Sequence, residues 1–186
     1  MELLVVAKDA RPEEVDGRIR LACFLGHKEI LIVFTSHDKR DIEMIKTLGG
    51  GVVAGLLVKD QNQARQLRRS YGAILAPARR DLVECKSVTH ILNPEEQGRP
   101  DFIHHRNSGL NQVLLKFCRS HGKEIVTTLA ILQKEPHIIL GRMMQNARWC
   151  RKYKVPYHIT SGARTLWEQR DADGLKALER ELRSRR

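Results

Sequence analysis

Short runs of Val, Ile and Leu alternate along the chain with longer stretches in which apolar residues keep a helical spacing. The short runs are apolar on both faces, which is typical of strands buried in a parallel sheet. The pattern predicts eight such strands, at Leu3–Ala7, Glu29–Phe34, Val52–Val58, Ala73–Ala76, Val88–Leu92, Asp101–His104, Glu124–Leu129 and Tyr157–Thr160. Helical stretches before a strand end at a glycine, which adopts the left-handed conformation without a Cβ clash. These glycines are Gly26, Gly49, Gly72 and Gly122.

Helices of the second half are the clearest in the pattern. One is predicted at Gly109–His121, where apolar residues at i, i+3, i+4, i+7 and i+8 form a single stripe. Ser108 is its expected N-cap, because a serine hydroxyl accepts a hydrogen bond from a free backbone N–H of the first turn. A second helix is predicted at Ile138–Tyr153, and a charged helix near residues 171–183.

Strands separated mainly by helices favour an α/β fold, a (β/α)8-like barrel of the TIM type. With 186 residues the chain is small for this class, which usually needs at least about 200. Only the eight residues Asn93–Pro100 separate two of the predicted strands, so the barrel is expected to lack one outer helix. A doubly wound open sheet is the competing fold. We expect residues 1–186 to form a single domain.

The cellular compartment is predicted from targeting signals and cysteines. No apolar run approaches the ~18 residues that span a membrane, and the segment MELLVVAKDA lacks the basic region of a secretory signal. The four cysteines stand far apart, without the CxxC spacing of a zinc ribbon; they are Cys23, Cys85, Cys118 and Cys150. We therefore expect buried, reduced thiols and a cytoplasmic protein.

The positive charge is concentrated in the second half of the chain. The net charge is +11 and the isoelectric point is near 9.9, a balance that favours a polyanionic partner. Residues 1–50 carry eight basic and nine acidic groups, whereas residues 101–186 carry seventeen and eight. A basic surface without a dedicated partner would spread the excess more evenly, so this distribution favours nucleic-acid binding.

Basic side chains repeat at helical spacing on one face of the helix predicted at Ile138–Tyr153. Arg148, Arg151 and Lys152 fall at i, i+3 and i+4. Such a triplet is often a solvated helix face, but few carboxylates nearby in the sequence neutralise this one, and RNA phosphates are natural counterions. Aromatic residues make up only 5% of the chain, so a base-stacking platform is not expected. The expected mode is recognition of a folded RNA through its backbone.

The eight histidines raise the alternative of a metal-dependent phosphoesterase. His104 and His105 end a predicted strand, and a barrel gathers such side chains at one face. A catalytic metal needs several converging His and carboxylate ligands, yet no HxH follows the first predicted strand and acidic residues are sparse in the second half. The sequence also lacks GxSxG, Walker A and GxGxxG motifs. It therefore predicts no catalytic residue and no metal ligand.

Two segments resemble one protein family. Arg106–Val113, RNSGLNQV, is similar to the R-x-D-SGLN-x-V segment of the ribonuclease P protein component 3 family, archaeal relatives of a eukaryotic nuclear ribonuclease P subunit. Asn146–Ala163, NARWCRKYKVPYHITSGA, resembles that family's N-x-R-x-C-R-KYKVP…SSGA block. The order and separation of the segments agree as well, and the resemblance extends over roughly Asp101–Arg183. Asn107 stands where many relatives have an acidic residue, and Thr160 replaces the first serine of SSGA.

The resemblance implies a fold, a function and a set of partners. The fold would be a barrel akin to polymerase and histidinol phosphatase (PHP) domains whose metal ligands have been lost. The chain would be a subunit of ribonuclease P, the endonuclease that removes 5′ leaders from precursor tRNA. It would bind the ribonuclease P RNA beside a second small protein subunit. The RNA subunit would perform catalysis with Mg²⁺, and the protein itself would bind no cofactor.

The RNA-binding surface is expected at the C-terminal ends of the barrel strands, where barrel proteins place their sites. Arg106 precedes the N-terminus of a helix, whose free N–H groups attract anions. The turn at Ser161 and Gly162 offers further backbone N–H groups, and Arg106 and Arg164 are expected to flank a shared phosphate-binding rim. The predicted RNA-binding residues are His105, Arg106, Asn107, Arg148, Arg151, Lys152, Ser161, Gly162 and Arg164.

Overall fold

The computed structural model describes residues 1–6, 10–47, 51–96, 100–101, 106–133 and 135–184. Within them, seven strands form one parallel sheet in which each strand pairs with the next in sequence. The strands are β1 (Glu2–Val6), β2 (Ile30–Phe34), β3 (Val52–Leu57), β4 (Ala73–Pro77), β5 (His90–Leu92), β6 (Glu124–Thr128) and β7 (Tyr157–Thr160). The helices are α1 (Pro12–Phe24), α2 (Lys39–Thr47), α3 (Gln61–Leu67), α4 (Arg80–Val83), α5 (Gln112–Ser120), α6 (Pro136–Tyr153) and α7 (Ala172–Ser184). Short 3-10 turns lie at Pro94–Glu96, Leu129–Gln133 and Leu166–Glu168.

The sheet nearly closes on itself between β1 and β7. Leu4 forms a parallel bridge with Ala163, and the N–H of Val5 donates to the Ala163 carbonyl over 2.9 Å. The buried guanidinium of Arg18 donates to the carbonyls of Val5 and Ala163, at 2.8 and 2.6 Å. Consecutive strand order with this closure confirms an α/β barrel of the TIM type. It excludes the doubly wound sheet, in which the strand order reverses.

A buried carboxyl group also bridges β1 and the end of β7. Glu2 accepts hydrogen bonds from the backbone N–H of Ser161, at 3.2 Å, and from the Ser161 hydroxyl. The Nε2 of His27 lies 3.4 Å from a Glu2 oxygen. Burial raises the pKa of Glu2, and the Ser161 bonds and His27 oppose that rise. Ser161 is therefore part of the joint that closes the barrel.

Alternate residues of the strands fill two apolar layers, as the two-residue period of a strand requires. One layer fills the barrel interior with Leu3, Leu31, Val33, Ala73, Leu75 and Val126. The other lies between the strands and the helices and includes Leu4, Ile32, Leu56, Ile74 and Ile125. The interior is tightly packed, since a Cβ at Gly55 would lie 2.7 Å from a Leu75 methyl carbon.

Seven predicted strands begin and end within two residues of the observed ones. The eighth, Asp101–His104, lies outside the described residues apart from Asp101, and β5 pairs directly with β6. The outer helix predicted to be missing would lie in Asn93–Pro100. The described part of this segment contains only the 3-10 turn Pro94–Glu96.

Two predicted helix starts need correction. The α5 helix begins at Gln112 rather than Gly109, and its N-cap is Asn111, whose side chain accepts from the N–H of Leu114 over 2.9 Å. Ser108 is therefore not the cap. The α6 helix begins at Pro136, two residues before the predicted start, as suits proline's fixed φ.

The predicted glycine stops are confirmed at Gly26 (φ +84°) and Gly122 (φ +61°). Gly72 does not adopt a positive φ; a Cβ there would lie 2.9 Å from a Val53 methyl carbon, so small size is what this position needs. Gly49 lies outside the described residues, and Gly51 has the positive φ (+88°) before β3.

The cysteines and the helix lengths bear on the predicted compartment. Cys85, Cys118 and Cys150 are buried and free, whereas Cys23 is exposed, contrary to the expectation that all four are buried. In the described part of the chain, no helix is both long enough and apolar enough to cross a membrane.

Candidate nucleic-acid interface

The segment from Arg106 to Leu110 is fixed to α6 by side-chain hydrogen bonds. Gln145 donates to the Arg106 carbonyl and to the Ser108 hydroxyl, each over 2.9 Å. Asn146 donates to the Ser108 carbonyl, also over 2.9 Å. Because Asn146 begins the second segment that carries the family resemblance, one of these segments positions the other.

Asp101 anchors the approach to this segment. Its carboxylate accepts from the Nε of Arg142, at 2.9 Å, and from the N–H of Asn107, at 2.8 Å. Burial raises the pKa of Asp101, but the donors outweigh it and hold the pKa below its usual value, so the group is charged. Arg142 also donates to the Glu95 carbonyl over 2.9 Å. The ion pair thus ties the segment to α6 and to the turn after β5.

One side of the segment borders a cleft on α6, which we call the α6 cleft. The Arg106 guanidinium lies on Gly141, where a Cβ would overlap it. The Nε of Arg148 is buried and has no hydrogen-bond partner among the described residues. Two arginines thus line one space, and guanidinium groups suit a phosphate or another anion. The cleft measures about 290 Å³ and is lined by Arg106, Gly141, Met144, Gln145, Arg148 and Trp149.

The other side of the segment borders a cavity of about 520 Å³ at the start of α5, which we call the α5 cleft. Its basic residues were not predicted. Arg79 pairs with Asp81 and Arg80 with Glu84, each at 2.8 Å, so their charge is balanced locally. The sequence signal for these residues is the pair of consecutive arginines just after β4, separated from it by Ala78. The lining residues are Ala78, Arg79, Arg80, Asp81, Asn107, Ser108, Gly109, Leu110, Asn111 and Leu114.

A buried carboxyl group on the inner side of α6 was also missed. Glu95 is fully buried and accepts from Asn146 at 2.8 Å, from the Thr127 hydroxyl at 3.0 Å and from the Tyr157 hydroxyl at 3.3 Å. Burial raises the pKa of Glu95 to about 7, and these three neutral donors oppose only part of the rise. Through Asn146 the same network holds Ser108 and hence the wall between the two clefts.

Several of the predicted RNA-binding residues lie around the two clefts. Arg106 and Arg148 line the α6 cleft, and Asn107 lines the α5 cleft. Arg151 and Lys152 are exposed in the last turn of α6. Lys152 follows Arg148 by four residues and so shares its helix face, one turn further from Gly141.

The predicted turn at Ser161 and Gly162 is part of the barrel instead. The Ser161 N–H is buried and donates to Glu2, so it is not available to a phosphate in this arrangement. Gly162 has φ +67° and is buried, and a Cβ there would overlap Thr128.

Arg164 is exposed but lines neither cleft. The structure therefore does not bring it together with Arg106 in one cleft. His105 lies outside the described residues.

A second polar cluster lies at the opposite, N-terminal end of the barrel strands. A carboxylate oxygen of Glu124 is 2.9 Å from the Nε2 of His158 and 3.7 Å from the Nε2 of His90. The hydrogen bond to His158 lowers the pKa of Glu124 despite partial burial, and burial lowers the pKa of His90. Across the residues with described structure, no group of three or more His, Cys, Asp or Glu is arranged to hold a metal ion.

A known structure shares the barrel fold. A protein chain in the cryo-EM structure of archaeal ribonuclease P with mature tRNA is similar with a TM-score of 0.74 and 19% identity, covering 97% of this chain and 82% of that chain. The crystal structure of an uncharacterised protein has a TM-score of 0.35 and 12% identity, over 97% of this chain and 51% of that chain. No protein-family model and no curated protein matches the chain.

Proposed function

We propose that this chain is a protein subunit of ribonuclease P that binds RNA through the α6 cleft and supports removal of 5′ leaders from precursor tRNA. The proposal rests on one agreement between the fold and the sequence. The barrel is similar over 97% of the chain to a protein in a structure of archaeal ribonuclease P, and the two segments that resemble the ribonuclease P protein component 3 family meet in the wall of the α6 cleft. Ser108 of the first segment bonds to Asn146 of the second.

The chemistry of the α6 cleft fits a phosphodiester backbone. Guanidinium groups donate several N–H bonds in a planar fork that matches phosphate oxygens, and both Arg106 and Arg148 line the cleft. Arg151 and Lys152 extend the basic face along α6. The net charge of +11 adds a long-range attraction for the same polyanion.

In the proposed assembly the protein holds RNA, and the RNA subunit cleaves with its own Mg²⁺. The cleft side chains that support this division are cations and amides, groups that bind phosphates without activating a nucleophile. A second small protein subunit and precursor tRNA complete the complex. Free cysteines accord with a cytoplasmic assembly.

Reconstitution of precursor-tRNA cleavage, with and without the chain, tests the function. The wild-type chain is expected to raise cleavage by the RNA subunit at low Mg²⁺, and the double variant R106A/R148A to lose most of that effect without unfolding. R20A is the matched control, since Arg20 is an exposed arginine paired with Asp16 on α1. Full activity of the double variant across Mg²⁺ concentrations would place the RNA site elsewhere.

Salt titration tests the electrostatic basis separately. The logarithm of the affinity for the RNA should fall linearly with the logarithm of salt concentration, with a slope of about −0.7 to −0.9 per neutralised phosphate. R106A/R148A should reduce the magnitude of the slope by the amount expected for the loss of about two phosphate contacts. A chelator-sensitive phosphoesterase activity of the chain alone would instead favour a metal-dependent enzyme of the PHP barrel class.

A further inference from the structure

We propose that the turn Leu166–Glu168 presents Trp167 as a stacking site for an unpaired RNA nucleotide, an inference that rests on the RNA-binding function proposed above. Trp167 is 89% exposed. An indole left in water forgoes a large hydrophobic gain, which a stacked base would recover. The turn follows β7, so it lies at the same end of the barrel strands as the α5 and α6 clefts.

The turn is held in one conformation by its own hydrogen bonds. The Glu168 carboxylate accepts from the backbone N–H groups of Arg164, at 2.6 Å, and Thr165, at 3.2 Å. Thr165 and Glu168 form a capping box around the turn, and the N–H of Gln169 donates to the Leu166 carbonyl over 3.3 Å. The exposed indole therefore stands on an ordered backbone.

Both ends of the turn are anchored to the barrel through one residue of α1. The Arg18 guanidinium donates to the carbonyl of Ala163, before the turn, over 2.6 Å. The carbonyl of Arg18 accepts from the buried side chain of Gln169, after the turn, over 3.1 Å. A pre-organised aromatic ring gains affinity because binding need not order the segment that carries it.

Positive charge flanks the indole. Arg164 is exposed, and its guanidinium has no partner among the described residues. Arg170 is also exposed and donates to the carbonyls of Trp167 and Gln169, at 3.1 and 3.0 Å. Glu168 is the one carboxylate of the turn, and two backbone N–H groups already occupy it. An aromatic face beside arginines matches single-stranded RNA, which offers a base to stack and phosphates to pair.

A protein partner fits this surface less well. A stable protein interface buries about 800 Å² on each side around an apolar centre. Here the exposed apolar residues of the turn are Trp167 and Leu166, the latter 45% exposed, and their neighbours Arg164, Thr165 and Arg170 are polar. Two exposed apolar residues among charged and polar neighbours therefore suit a nucleotide better than a protein interface.

Binding of fluorescently labelled single-stranded oligoadenylate, followed by anisotropy, tests the proposal. W167A and W167L should weaken binding about 5- to 150-fold, the range found when an aromatic stacking partner is removed. W167F should keep most of the affinity because it retains a ring. F24A is the matched control, since Phe24 is 86% exposed on α1, and it should bind like the wild type. An RNA duplex, whose bases are already stacked, should show less than about a two-fold change with any of these variants.

A second readout observes the indole itself. Oligoadenylate should quench the fluorescence of the wild-type chain, which has two tryptophans, more than that of W167F, in which only Trp149 remains. If W167A binds oligoadenylate like the wild type while R106A/R148A still binds RNA weakly, the stacking site is refuted and the proposed function stands. If W167A instead abolishes association with a protein subunit at unchanged RNA affinity, the turn is a protein contact and the inference is overturned. A wild-type chain that neither binds RNA nor stimulates cleavage refutes the proposed function itself.

Discussion

The two ends of the barrel are each organised around one glutamate, in opposite environments. Glu95, after the C-terminal end of β5, is fully buried among three neutral donors, and burial raises its pKa to about 7. Glu124, at the start of β6, has a side chain 37% exposed beside two histidines, and its pKa is lowered. Neutral donors do not replace the hydration of a buried carboxylate, whereas an imidazole partner and partial solvation do.

The difference matters for the α6 cleft. A carboxylate behind Arg106 and Arg148 would offset their positive charge, but Glu95 is largely protonated below about pH 7 and contributes only hydrogen bonds there. The C-terminal end therefore supports the α6 cleft with a buried carboxyl group that is largely uncharged below about pH 7. The N-terminal end instead keeps a charged carboxylate, Glu124, beside two histidines.

The largest expected effect comes from removing the buried group. Glu95→Ala leaves three buried donors without an acceptor and opens a cavity, which should lower the free energy of unfolding by about 3–5 kcal/mol. Urea denaturation measures it. Glu96→Ala, at an exposed neighbouring position, should cost less than about 0.5 kcal/mol. A loss below about 1 kcal/mol for Glu95→Ala would mean that water or repacking satisfies the donors.

Next in size is the pH dependence that Glu95 produces. Its pKa is raised from 4.5 to about 7 on folding, so the native state binds the proton more tightly. The resulting stability is fully present below about pH 4.5 and is lost as pH rises through 7. At about 1.4 kcal/mol per pH unit, the loss is at most about 3–4 kcal/mol. Glu95→Gln cannot titrate and should remove this part of the slope when unfolding is measured from pH 4 to 8. Parallel curves for variant and wild type would contradict the assignment.

A smaller effect is expected at Gly141, where a substitution should alter the α6 cleft without lowering the stability of the fold. Gly141→Ala forces the Arg106 guanidinium off α6, while alanine favours the helix by about 1 kcal/mol. We expect an equal or higher melting temperature and RNA binding weakened about 5- to 10-fold. Gly17→Ala is the control, because a Cβ at Gly17 on α1 meets nothing within 4 Å; it should stabilise without changing RNA affinity. Unchanged binding by Gly141→Ala would remove Arg106 from the RNA site.

The smallest effect is expected at the N-terminal end. Glu124 has a lowered pKa, so its contribution is present above the unfolded value of 4.5 and is lost as pH falls. Because the side chain is 37% exposed, solvent screens the pair, and Glu124→Gln should cost only about 0.5 kcal/mol at pH 7. The difference from wild type should shrink at pH 4. If Glu124→Gln instead costs more than about 2 kcal/mol, the glutamates at the two ends contribute similarly to stability, despite their different environments.

The strands could be predicted because buried parallel strands are apolar on both faces. The prediction for Tyr157–Thr160 matches β7 at both ends. Caps were harder, since Ser108 and Asn111 are both good N-cap residues and only the backbone path decides between them. Gly72 was predicted to end a helix. The position instead needs glycine because a Cβ would meet Val53, and only the folded structure shows this contact.

The site was predictable only in part. Arg106 and Arg148 stood out as charges within segments that resemble a family, but their shared cleft depends on the packing of α6 against a distant loop. Glu95 was not predictable, because Pro94–Glu96 has the composition of a solvated turn and its partners Thr127 and Tyr157 are more than thirty residues away. Trp167 left no signal in the sequence beyond its flanking arginines, since exposure is a tertiary property.

The joint between β1 and β7 also has a kinetic consequence. The bond from Ser161 to Glu2 spans 159 positions, whereas the other strand pairs join neighbours in sequence. Closing so long a loop costs more chain entropy than forming any single strand–helix–strand unit. We therefore expect the local units to assemble first and the ring to close late, when Arg18 and Ser161 engage β1. Substitutions at this joint should accelerate unfolding more than they slow folding.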